Sequence, residues 1–260
     1  MKTKQWWSGL ALVCAMVLLS GSANALTLDL TSGGSGWLGG GFFSWTPLQP
    51  VGSGALDPFV RINPGGNQTP EEGYNATARP VMPDVNTSRS FTHDVLLSAI
   101  PLKTIGGESY YEFILDINQT RTASLLSLDR LEFWVKSGAL TQADTYGELA
   151  AQGASKVWSM DDLWASGTPE DSEILLDYLL GSGSGAGDMY AYIPVSLFGS
   201  DESKNLYLFS HFGDKSGYEA NDGYEEWGHG QRLPVPDSVA TVMLLGGALM
   251  VVSWLQRRCA

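Results

Sequence analysis

The 260-residue chain holds 28 Asp and Glu against 15 Lys and Arg, a formal net charge of −13, and a surface of that sign repels nucleic acid and anionic membrane alike. The two cysteines, Cys14 and Cys259, sit near the two ends. The intervening body therefore has no disulfide to staple it and no Cys-type zinc site, and its stability must come from burial.

In chain order, Lys2 and Lys4 precede an apolar segment from about Leu10 to Leu19, followed by Ser22-Ala23-Asn24-Ala25. A basic start, a short apolar stretch and small residues at Ala23 and Ala25 predict a signal peptide over residues 1–25, delivered through the Sec route and cut by signal peptidase after Ala25. Val13 precedes Cys14 where a lipoprotein signal carries a small residue, which argues against lipidation.

The exported body, residues 26–233, carries 27 acidic and 11 basic residues, and its length suits one domain with a substantial core. Residues 26–58 interleave glycine with Trp37, Phe42, Phe43 and Trp45, a density of glycine that forbids helix while the aromatics favour strand. Pro47, Pro50 and Pro58 predict loops or an edge strand, and Phe59–Ile62 a short strand. Residues 63–90, with Pro64, Pro70, Pro80 and Pro83, read as the longest loop.

Strand signals then recur at 94–100, 110–117, 126–135, 189–195 and 206–212. Tyr111, Phe113, Leu115 and Ile117 fall on one face of a strand, with Glu112 and Asp116 on the other. In 126–135 the alternation slips by one at Asp129-Arg130, which predicts a bulge or bend. Residues 141–151 are open between elements. Ser172–Leu180 fits a short helix or a strand, with strand preferred, and Gly181–Gly187 reads as a flexible connection. About nine short strands without alternating long helices predict a mainly β fold, a single antiparallel β-sandwich domain that is jelly-roll-like.

The last stretch, 234–260, sets the destination. Val235-Pro236-Asp237-Ser238 leads into the uncharged run Val239–Leu255, and Arg257-Arg258 follow. Seventeen helical residues cover about 25 Å, near the roughly 30 Å of a bilayer core, and snorkelling arginines with interfacial Trp254 make up the difference. The order of these features resembles the PEP-CTERM class of bacterial sorting signals, and the motif is most similar to its Val-Pro-Asp-Ser-Gly variant, with Val239 where that variant has Gly. The resemblance implies an exosortase-like membrane enzyme as partner, anchoring at the cell envelope, processing after export and association with exopolysaccharide. Segments Gly41–Ile62 and Asn221–Trp227 are also similar to uncharacterised exported bodies that accompany such anchors.

For chemistry, Asp214, Glu219, Asn221, Asp222 and Glu225 form the densest run of oxygen donors, a candidate calcium loop without EF-hand spacing; Asp116 with Asn118 is a weaker set. No other cofactor is expected. Catalytic signatures G-x-S-x-G, H-E-x-x-H and the P-loop are missing from the sequence,. The E-x-D-x-x-E strand motif of one jelly-roll glucanase family fails at Asn221 and Tyr224 when begun at Glu219. His93, His211 and His229 are scattered, and no catalytic residue is assigned. The expectation is a non-enzymatic envelope or extracellular-matrix protein; a carbohydrate-binding module and a carbohydrate-active hydrolase stand as alternatives. Trp37, Trp45, Trp134, Trp158, Trp164 and Trp227 are available for sugar stacking, and the sequence singles out none of them. Asn67, Asn75, Asn86 and Asn118 begin N-x-S/T triplets that read as loop sequence.

Overall fold

The computed structural model describes residues 26–45, 56–63, 70–161, 171–181 and 187–230. The expected signal peptide with Ala23 and Ala25, Trp164, the motif Val235–Ser238, the span 239–255 and Arg257 and Arg258 lie outside the described residues. Among the described residues no helix is long and apolar enough to cross a membrane.

Alternating apolar and polar residues build fourteen strands among the described residues: β1 (Thr27–Asp29), β2 (Gly34–Leu38), β3 (Gly41–Trp45), β4 (Asp57–Ile62), β5 (Glu71–Tyr74), β6 (Val95–Leu96), β7 (Leu102–Ile105), β8 (Glu108–Asp116), β9 (Leu125–Lys136), β10 (Ser155–Ser159), β11 (Glu173–Asp177), β12 (Met189–Pro194), β13 (Asn205–Phe212) and β14 (Glu225–His229). A one-turn helix, α1 (Glu148–Ala151), lies between β9 and β10. The strands form two seven-stranded sheets. The first runs β1-β11-β9-β13-β5, with β10 on β9 and β6 on β13; the second runs β2-β3-β12-β8-β14-β4, with β7 on β8. The fold is a mainly β sandwich.

Pairing is antiparallel as expected except between β1 and β11, which run parallel. Parallel neighbours need a long connection rather than a hairpin, and here Thr27 and its partner Glu173 are 146 residues apart. The core lies between the sheets. Tyr111, Phe113, Leu115 and Ile117 are all fully buried on the face that the alternation predicts, and Phe113 of the second sheet meets Phe133 of the first with ring centroids 4.6 Å apart. Each such side chain contributes about 1.5–3 kcal/mol through burial.

Two local expectations are realised. Opposite β13, His211 pairs with Arg130 and Phe212 with Leu128, so Asp129 is the extra residue of a β-bulge. Its carboxylate accepts from Ser127 Oγ at 2.9 Å and from the Asp214 backbone N–H at 2.8 Å, which fixes the kink. Residues 173–177 form a strand, followed by a 3₁₀ turn over Tyr178–Leu180. The glycine-rich region folds as the β2–β3 hairpin, closed by Gly39 and Gly40 at φ +54° and +77°, the two left-handed residues that a tight hairpin turn requires.

The reading of 63–90 as loop needs correction. It contains β5, paired with β13, and the segment after it is held in place. The Arg79 guanidinium donates to the carbonyls of Ala76, Ala78, Thr87 and Thr92. Asn75 is fully buried; its amide donates to Leu206 O at 2.8 Å and its carbonyl accepts from Leu208 N–H at 2.7 Å. One side chain thus continues the β13 ladder across the gap between β5 and β6. Buried in this way, Asn75 does not serve as a glycan acceptor.

Candidate functional site: an aromatic row on the second sheet

The outer faces of the two sheets differ. On the first sheet the excursion 137–154 lies over Trp134, Tyr207 and Phe209. Tyr146 packs 4.7 Å from Phe209 and 6.0 Å from Trp134, the Tyr74 hydroxyl donates to Thr145 O, and Leu140 N–H donates to the Tyr207 hydroxyl. Beneath this cover Glu132, 1 % exposed, accepts from Arg130 Nε and Nη2 through one oxygen and from Trp134 Nε1 and the Tyr146 hydroxyl through the other. Lys156 Nζ lies 3.5 Å away. With both oxygens occupied, this carboxylate is a structural hub.

On the second sheet, pairing registers place Trp37 opposite Phe42, Phe42 opposite Tyr192 and Tyr192 opposite Glu112. The four residues come from β2, β3, β12 and β8, and period-two alternation points them away from the core, because Leu38, Phe43, Ile193 and Phe113 beside them in sequence are buried,. Trp37 and Phe42 rings are 4.9 Å apart; Phe42 and Tyr192 are 6.0 Å apart and close to parallel, at 26°. Tyr190 stacks on Tyr192 at 5.6 Å and 15°, and Tyr110 lies 6.1 Å from Trp37. Across four strands the row extends about 14 Å.

Its chemistry is graded along its length. Trp37 is 54 % exposed, Phe42 and Tyr190 are half-buried, and Tyr192 and Tyr110 are buried among them. At the far end Glu112 stands directly opposite Tyr192 in the ladder. Burial pushes the Glu112 carboxyl up, opposed by the Tyr192 hydrogen bond and the Lys103 charge. Burial, together with the Glu112 charge, pushes the Tyr192 phenol up as well. Apolar ring faces ending in a hydroxyl and a carboxylate form an amphipathic lane, wet at one end and greasy along its side. Farther along the same face, Arg61 pairs with Glu226 at 2.8 Å and stacks 3.5 Å above Phe91.

Of the six tryptophans considered for stacking, Trp37 is the strongly exposed one among the described residues. Trp158 and Trp227 are core, their indole N–H groups donating to Gly39 O and Ser210 Oγ, and Trp134 belongs to the covered face. Trp45 is half-buried against Gly33.

The five oxygen donors of the expected calcium loop do not converge. Asp214 lies 2.9 Å from His211 Nε2. Glu219 and Asp222 accept from the backbone N–H groups of Gly217 and Gly223. Asn221 bridges Thr120 N–H and Ala123 O. Glu225 is the first residue of β14, 1 % exposed, and points inward. Among the described residues no group of three or more His, Cys, Asp or Glu side chains is placed to hold a metal ion. Asp116 and the exposed Asn118, the weaker set, likewise form no such group.

Glu225 instead takes part in a feature that sequence reasoning missed. Gln119 Nε2 donates to its Oε1 at 2.7 Å, and the Glu71 carboxyl of β5 lies beside it. Burial drives both carboxyls above the usual range, with each other's proximity adding to the rise for Glu225. The two buried carboxyls bring the two sheets together here, and at contact they cannot both hold a full charge. Comparison of the chain with family models, with curated proteins and with solved structures returns no match.

Proposed function

We propose that the chain is an exported bacterial envelope or matrix protein, non-enzymatic, whose jelly-roll-like body binds a glycan of the surrounding exopolysaccharide through the outer face of its second sheet. The observation that carries this reading is the cross-strand row Trp37-Phe42-Tyr192-Glu112. Pyranose rings present C–H faces that stack on aromatic rings and hydroxyl edges that bond to polar groups, and the row offers both within about 14 Å. The strongly acidic composition favours neutral partners over nucleic acid,.

In this reading the N-terminal segment directs Sec export, signal peptidase cuts after Ala25, and the tail holds the protein in the membrane until an exosortase-like enzyme acts at Val235–Ser238. The experiment is a glycan array with the full-length chain in detergent, wild type beside Trp37→Ala. Retention of neutral glycans by the wild type and its loss in the variant support the proposal; no retention at high protein concentration overturns it.

A further inference from the structure

The aromatic row ends on a carboxylate rather than on another ring, and that ending bears on which glycan is taken. Resting on the glycan-binding reading above, the geometry points to Glu112 as the specificity-determining residue: it accepts from sugar hydroxyls at the end of the row and turns away acidic sugars.

Three observations carry the assignment. Glu112 stands directly opposite its cross-strand neighbour Tyr192, and its backbone N–H donates to Pro101 O at 2.9 Å, so the strand that carries it is fixed. A carboxylate has about four acceptor sites, more than its one neighbouring phenol could fill. Glu112 is half-buried beside Tyr192, Ile114 and Tyr110, where an acceptor facing a ligand is less diluted by water. A neutral sugar supplies hydroxyl donors to these lone pairs. A uronic acid brings a second anion to the same place, and like charges at contact in a partly desolvated site repel strongly.

The cation nearest to Glu112 in the row's surroundings is Lys103, exposed on β7, and its compact ammonium is strongly hydrated. The Arg61 guanidinium is engaged by Glu226. Selection against anionic chains therefore rests on Glu112 itself, reinforced by the acidic body.

The test uses the full-length chain in detergent micelles, titrated calorimetrically with matched neutral hexasaccharides and their C6-carboxylated counterparts: cellohexaose, mannohexaose and galactohexaose, each beside its uronic form. Wild type is expected to bind at least one neutral member about tenfold or more tighter than its acidic partner. Glu112→Gln, which keeps shape and an acceptor but not charge, should hold neutral affinity within about threefold and shrink the discrimination about tenfold. Glu112→Ala should lower neutral affinity about tenfold, because the sugar hydroxyls lose their acceptor. Equal or tighter binding of the acidic members by wild type, or unchanged discrimination in Glu112→Gln, overturns the role of Glu112 while leaving glycan binding intact. Failure of wild type to bind any member, with Trp37→Ala indistinguishable from it, overturns the glycan reading itself and the assignment with it.

Discussion

Glu71 and Glu225 belong to opposite sheets, yet their carboxyls meet in the interior, with Gln119 as the donor to Glu225. Asp84 and His211 are the nearest other charges acting on Glu71, in opposite senses. Both carboxyls titrate above their unfolded values because burial penalises the charge.

The sign of the pH dependence follows. The folded protein holds protons that the unfolded chain releases above about pH 4.3, so stability is full below that value and declines as pH rises through the folded-state titration, by roughly 1.4 kcal/mol for each unit between the two. Asp188, which burial pushes up to about 8 beside Asp116 and Asp177, adds a decline of the same sign. Urea unfolding at pH 5 and pH 8 should show the wild type weaker at pH 8. Glu225→Gln should flatten part of that decline and Asp188→Asn another part; slopes equal to wild type in both variants would refute the account.

Glu132 predicts a large loss. Replacing it with Ala leaves the Arg130 guanidinium, the Trp134 indole and the Tyr146 hydroxyl without their shared acceptor beneath the 137–154 excursion. A cost of about 3–5 kcal/mol is expected, measurable as a shift in urea midpoint. A loss under about 1 kcal/mol would mean that the network contributes little.

Asn75 predicts a loss of a different origin. Its amide stands in for strand backbone along β13, and Ala at this position strands a buried carbonyl and a buried N–H, at roughly 1–3 kcal/mol each. Hydrogen exchange should then reveal faster opening at Leu208 than at strand centres such as Leu131. Unchanged protection at Leu208 would count against the splice.

For the proposed tail, substituting Pro236 and Asp237 together should change the mature C-terminus read by mass spectrometry of exported protein. An identical C-terminus in wild type and variant would leave a plain anchor.

The fold was legible where physics is local. Alternation in 111–117 identified the core face of β8, and the slip at Asp129-Arg130 identified the bulge, because both depend on neighbours one or two residues away. The strand at Phe42–Trp45 was visible as aromatics among glycines, whereas the hairpin turn at Gly39-Gly40 was not read from the sequence. By contrast, β5 was hidden: Glu71 and Glu72 carry no apolar signal, and the buried Glu71 is stabilised by Glu225, more than 150 positions later. Glu225 itself looked like one more loop carboxylate because five acidic or amide residues cluster there, and only pairing with β8 and β4 turns it inward. The aromatic row is of the same kind. Composition put Phe42 on a strand and Glu112 on an outward face, but strand order, which brings β2, β3, β12 and β8 side by side, is not written in any window of sequence.

The parallel pairing of β1 with β11 has a consequence for biogenesis. Thr27 is joined to Glu173 at a separation of 146 residues, so the first strand to be synthesised has no seat until the chain has been made beyond its midpoint. A nascent chain of this design stays unfinished at its leading edge during synthesis. That delay is compatible with the proposed export, in which premature closure of the first sheet would have to be undone before passage.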